Sequence, residues 1–296
     1  MISDSLLVTL LGLSAAIAWG FSDFLCAKAS KNLGPITASL LVNLVGAAGF
    51  GILYLVFMHP QLHLTAAGFW YAFGAGMVLT LGSLCFFKSL AIGPVSLVSP
   101  IGGAYPLVTT ALALFAFHAT LSRQQLIGIA CIMIGLLLAA EIISNEKIFK
   151  RVGAGPAWGL MTALVWGTGF ALLAQGIQRL GWQVASLIEF GGVLVLLAVI
   201  IPFVRSSEAI TFTKLRRLST NKYIVGAGLI QLLGVIALNN GISVEASSGA
   251  IVTAISACYP VLTVFLALRN FKENVKLIPL LGGFISIFGV VVLTLG

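Results

Sequence analysis

Long apolar runs separated by short polar, Pro or Gly clusters dominate this chain. Cutting it at the interruptions leaves ten segments, approximately 5–27, 36–58, 66–90, 95–117, 123–142, 155–178, 183–204, 222–243, 249–268 and 275–295. A helix needs about 20 mostly apolar residues to cross the hydrocarbon layer of a bilayer, and these runs meet that length. Membrane barrel strands would alternate over about ten residues instead. The tightest junction is Gly93-Pro94, where proline disfavours continuing the preceding helix. The first run has no basic residue before it and outlasts a signal-peptide core, so it reads as a retained helix. The expected fold is all-α, with ten transmembrane helices.

Composition agrees: 59% of the 296 residues are apolar and 8% charged, with mean hydropathy +1.12, against about 25% charged in soluble domains. Sixteen basic and eight acidic side chains cannot cover a water-soluble surface, which excludes soluble enzymes, nucleic-acid binders and disordered linkers. The net charge of +8 reports topology. Fourteen of the sixteen Lys and Arg fall in the connections after segments 1, 3, 5, 7 and 9, leaving Arg123 and Arg179 on the other side. Short cytoplasmic loops collect positive charge, so both termini are expected outside the cytoplasm, in a plasma (bacterial inner) membrane. The cluster Lys214, Arg216, Arg217 and Lys222 then faces anionic lipid headgroups. Cys26, Cys85, Cys131 and Cys258 each stand alone in apolar runs, and His59 and His63 flank Pro60, so neither disulfides nor a metal is expected. No catalytic or nucleotide-binding motif points to an enzyme or a cofactor.

The chain is also doubled. A shift of 147 residues aligns Gly12-Leu13, Trp19-Gly20, Leu33-Gly34 and Ala38-Ser39-Leu40 with their copies, giving 12 identities over positions 12–40. A shift of 154 aligns Tyr105-Pro106 with Tyr259-Pro260, Thr109 with Thr263, Gly128 with Gly282 and Gly135 with Gly289. The extra seven residues belong to the longer connection around 205–221. The units are 1–145 and 155–296, joined by a cytoplasmic linker at 146–154. Five crossings per unit is an odd number, so the second must insert opposite to the first. Inverted repeats are a signature of secondary transporters with a midplane site exposed alternately to each side.

The paired motifs, Ala-Trp-Gly at 18–20 with Val-Trp-Gly at 165–167, the two Tyr-Pro pairs and the Gly-x6-Gly of segments 5 and 10, resemble the ten-helix EamA-type members of the drug/metabolite transporter superfamily over essentially the whole length. The resemblance implies a monomeric or weakly dimerising carrier of small metabolites, commonly an exporter of amino acids or related compounds. Similar sequences carry a Glu after the fourth and ninth helices; Glu273 fits, whereas its first-half counterpart is Ala119, beside His118. The related small multidrug-resistance proteins have a carboxylate within their first helix where this chain has Ala18-Trp19-Gly20, so their proton-antiport mechanism does not transfer.

Ionisable groups inside a membrane are costly and are functional candidates by default. Asp23, near the end of segment 1, is either a snorkelling or locally paired carboxylate at the interface, with Lys28 nearby, or a contact for a substrate amine or a proton. Glu189, six residues into segment 7, either bonds the other half or carries a coupling proton. Trp19, Trp166, Tyr105 and Tyr259 occupy repeat-related positions and could stack on a solute or form the core. Asn43, Gln175, Gln231, Asn239 and Asn240 could bond across helices, with Asn43 and Asn239 chosen as substrate contacts. Pro106 and Pro260 are expected to kink helices in mid-span, as fixed bends or hinges. So few buried charges suit a small neutral or zwitterionic solute, an amino acid above all, moved by alternating access; export is what the resemblance implies. A cationic or lipophilic drug contacted by Trp19, Trp166 and Asp23 is the alternative. A lipid-modifying membrane enzyme is a third reading, without the cluster of His, Asp or Glu it needs.

Overall fold

The computed structural model describes residues 3–58, 60, 63–139, 153–207, 218–245, 247–271 and 277–295. Glu273, His59, most of the 146–154 linker and the basic cluster at 214–217 lie outside the described residues. Among the described residues the chain forms twelve helices: α1 Asp4–Leu33, α2 Pro35–Phe57, α3 Ala66–Ile92, α4 Val95–Gly102, α5 Tyr105–Phe115, α6 Arg123–Ala139, α7 Gly155–Leu180, α8 Trp182–Ser207, α9 Leu218–Ile242, α10 Ser248–Ser256, α11 Tyr259–Phe271 and α12 Leu277–Thr294. Eight spans are long and apolar enough to cross a membrane, and Arg123–Leu138 and Leu281–Thr294 are shorter apolar helices. The protein is thus a multi-pass membrane protein built on the doubled pattern.

Sequence chemistry sets the helix ends. Ser3 caps α1 by accepting the Leu6 N–H at 3.3 Å, and Thr65 caps α3 by accepting from Gly68 at 3.2 Å. The first turn of each unit is a glycine at positive φ, Gly34 (91°) and Gly181 (76°), a conformation that a side chain disfavours. Helix α3 stops at Ile92, as Gly93-Pro94 requires.

The fourth and ninth crossings differ from expectation. Neither is a kinked helix; each is two helices separated by a turn, at Gly103-Ala104 and Ala257-Cys258. Pro106 sits at the second position of α5, and Pro260 follows Tyr259 at the start of α11, where a missing N–H costs no internal bond. The turns are copies of one another: Gly103 N donates to Ser99 O at 2.8 Å as Ala257 N does to Thr253 O at 3.0 Å. Bonds of the i to i−3 type follow, Ala104 to Ile101 at 3.2 Å and Cys258 to Ile255 at 3.1 Å, tightening the backbone instead of leaving it open.

Packing between the halves is reciprocal. α1 pairs with α9 as α3 pairs with α7, α5 lies on α7 as α11 lies on α1, and α6 and α12 pair with each other. Glycines permit the close approaches. A Cβ on Gly12 would meet Ile255 and the Val252 carbonyl, and one on Gly159 would meet Ile101 and the Val98 carbonyl; these neighbours are themselves related by the 154-residue shift. Thr263 Oγ1 donates to Gly20 O at 3.3 Å as Thr109 Oγ1 does to Gly167 O at 3.0 Å.

Candidate functional site

Between the halves lies a cavity walled by α1, α2, α3, α7, α8, α9 and the start of α11. The space open to the centres of water-sized molecules is about 80 Å³, enough for roughly five to eight waters or a small polar head group. Of the eight side chains singled out from the sequence, seven line it: Trp19, Asp23, Asn43, Trp166, Glu189, Asn239 and Tyr259. Tyr105 does not. It is fully buried, its hydroxyl 2.7 Å from Ser256 Oγ and its ring against Phe170 and Trp166.

Asp23 differs from the interfacial reading. α1 continues six residues past Ala27 to Leu33, so Asp23 sits ten residues before its end, roughly 15 Å along the axis. Its Oδ2 is buried and accepts no hydrogen bond. Lys28 does not pair with it; the ammonium lies 4.4 Å from the centre of the Phe24 ring and 5.4 Å from that of Tyr223.

Glu189 comes from the opposite half. Its Oε2 accepts from Asn239 Nδ2 at 3.0 Å, and the same amide nitrogen donates to Ser186 Oγ at 2.8 Å, joining α8 to α9. Asn239 Oδ1 is buried and accepts nothing. Close approach of α3 brings this stretch of α8 inward, because Gly76 faces the Glu189 carbonyl so tightly that a Cβ would collide with it.

Most donors with assigned partners on the cavity wall are committed to the protein. Thr80 and Ser83 donate to Gly76 O and Leu79 O, Trp166 Nε1 to Leu79 O at 3.1 Å, and Asn43 Nδ2 to Ser39 O at 2.8 Å. Of the other amides, Gln231 lines the cavity, whereas Gln175 accepts from Arg179. The wall is otherwise aromatic. Trp19 lies 5.8 Å from Phe170 and 6.3 Å from Tyr259, and Phe86 lies 4.8 Å from Trp166, measured between ring centres. Phe86 and Phe170 were not picked out from sequence, although Phe170 stands where the repeat aligns it with Asp23. No Lys, Arg or His is among the described residues lining the cavity.

The sequence profile of the EamA-like transporter family matches residues 6–140 and again 153–295. The chain belongs to the EamA-like transporter family. This EamA-like protein is therefore a membrane transporter of the drug/metabolite transporter superfamily. It is 23% identical over 295 residues to an uncharacterized transporter of Archaeoglobus fulgidus, covering 98% of this chain and 99% of that one. An uncharacterized protein of Methanocaldococcus jannaschii is 32% identical over 140 residues, 96% of its own length but 46% of this chain, so that relative is about one five-helix unit long. A solved crystal structure of a protein 15% identical superposes with TM-score 0.71, covering 97% of this transporter and 96% of that chain. At such identity the likeness speaks for the fold alone.

Proposed function

We propose that this EamA-like transporter is a secondary carrier of a small amine-bearing metabolite, working by alternating access between its inverted halves. One observation carries the reading: the cavity between the repeats presents carboxylates from both halves, Asp23 on α1 and Glu189 on α8, within aromatic walls and with no basic side chain among the described lining residues. A buried carboxylate requires a compensating cation or proton. Aromatic faces favour the same sign of charge, and an anionic solute would find no cationic partner there. These features favour the organic amine over the amino-acid zwitterion, whose carboxylate would need donors that are largely committed to protein acceptors.

Glu189 serves as proton carrier in this scheme, alternating between the Asn239 bond and a proton as the halves exchange. The excess of Lys and Arg in the connections after segments 1, 3, 5, 7 and 9 supports both termini lying outside, and the family resemblance supports export as the direction. The test is reconstitution into liposomes with labelled amines, amino acids and dicarboxylates, with and without a pH gradient. Saturable amine flux that depends on the gradient is expected, with Glu189→Gln losing the gradient dependence. Flux of dicarboxylates alone would sink the reading.

A further inference from the structure

Resting on that reading, we infer that the solute is recognised through its N–H bonds, so that the cavity selects a primary ammonium group over a quaternary one. Asp23 is 8% exposed and Asn239 is 0% exposed, and both line the cavity. Asp23 Oδ2 and Asn239 Oδ1 are buried acceptors without a donor. They come from opposite halves, α1 and α9. Asn239 cannot satisfy its own oxygen, because its amide nitrogen is held by Ser186 Oγ and Glu189 Oε2 on the far side of the group. Asp23 cannot turn to Lys28, whose ammonium lies over the Phe24 ring.

Both oxygens are shut off from water, so donors for them have to come from a solute seated against Asp23 and Asn239. A primary ammonium carries three N–H donors around a single charge, enough in number for both acceptors. A quaternary ammonium has none.

Two effects compete. The ring faces of Trp19, Phe86 and Tyr259 attract any organic cation, and the quaternary ion is the easier one to strip of water. The ring attraction is shared by both ions, and the lower cost of dehydration favours the quaternary one. Leaving two buried acceptors unpaired penalises the quaternary ion alone, and sites built to bond an N–H or O–H discriminate strongly against analogues lacking it. The second effect wins. Bridging acceptors from α1 and α9 also ties the halves together only when the N–H groups are present, so transport should follow the same order as binding.

The test uses one carbon skeleton: phenethylamine and its N-methyl, N,N-dimethyl and N,N,N-trimethyl derivatives. Binding to the full chain in detergent is followed by calorimetry, and flux in liposomes by counterflow. Affinity is expected to fall at each methylation, by at least about tenfold from the primary to the quaternary compound. Asp23→Asn, of nearly the same shape, replaces a bare acceptor with a donor and should flatten the series. Equal or tighter binding of the trimethyl compound would overturn the inference while leaving an amine carrier in place. Binding of none of the four would remove the amine reading itself. If Asp23→Asn does not fold, the series on the native chain decides alone.

Discussion

The two halves share a frame and differ in what they put into the cavity. Trp19 and Trp166, Gly20 and Gly167, the Tyr-Pro turns and the Thr109 and Thr263 bonds recur in both units and make matching contacts. The carboxylates at the cavity do not recur. Asp23 faces Phe170 in the repeat alignment, and Glu189 faces Val42. Duplicated residues hold the helices, whereas the two carboxylates of the proposed site stand where the copies diverge. An inverted pair needs an equal frame, since each half must be able to take up the other's arrangement, but one solute binds one set of atoms and needs no second copy.

The sharpest way to break this comparison is to exchange a divergent pair. Asp23→Asn removes a buried carboxyl group and is expected to lower amine flux, as kcat/KM, by about 100-fold, the scale of a hydrogen bond to a charged ammonium lost in a buried site. Its counterpart Phe170→Leu only trims an aromatic wall and should cost less than about fivefold. Liposome flux measures both, and an equal loss at the two positions would mean that the halves contribute alike.

A smaller effect is expected at a duplicated frame position. A Cβ on Gly76 would strike the Glu189 carbonyl, and one on Gly228 would meet Val45 and the Val42 carbonyl in the mirror contact between α9 and α2. Overpacking of this kind costs about 1–3 kcal/mol, so both Gly76→Ala and Gly228→Ala should lower the melting temperature in detergent, Gly76→Ala the more because its Cβ meets backbone where that of Gly228 first meets the Val45 side chain. They should differ in function. Gly76→Ala displaces the stretch of α8 that carries Glu189 and should reduce amine flux further than its loss of stability explains. Gly228→Ala moves Val42, which does not line the cavity, and should not. Equal flux from the two folded variants would detach Glu189 from transport.

Much of this was legible in the sequence because membrane burial writes itself into long apolar runs, and duplication into paired motifs. The halves' reciprocity follows from five crossings per unit, and the helix stop at Gly93-Pro94 follows from proline stereochemistry. Three features were not legible. The Tyr-Pro pairs read as kinks, whereas the observed break depends on a tight turn stabilised by bonds to Ser99 and Thr253, residues with no proline signal. The choice between an interfacial and a buried Asp23 stayed open because the run of apolar residues ends at Ala27, whereas the helix runs on to Leu33 and is capped at Gly34. The meeting of Asp23 with Glu189 around one cavity is a tertiary fact, about 166 positions apart in the chain, and periodicity within a helix says nothing of it.

The last comparison is the finest, between the two tyrosines of the broken crossings. Each reaches across to the other broken helix, but the partners differ: Tyr105 has Ser256 at 2.7 Å, whereas the position equivalent to Ser256 in the first unit is Gly102, and Tyr259 is left with the Ser99 carbonyl at 3.4 Å. Tyr105 is sealed in the frame and Tyr259 lines the cavity. Tyr105→Phe removes a well-formed buried bond and should destabilise the protein by about 1 kcal/mol, with no change in Kd for the amine. Ser256 still donates to Thr253 O at 2.9 Å, which keeps that loss small. Tyr259→Phe gives up a longer bond and should destabilise less, yet remove a polar group from the solute's wall and shift Kd by a few fold. Thermal melts paired with calorimetry separate the two. If Tyr105→Phe changes Kd and Tyr259→Phe does not, the cavity is bounded differently and the division between shared frame and divergent site fails at its centre.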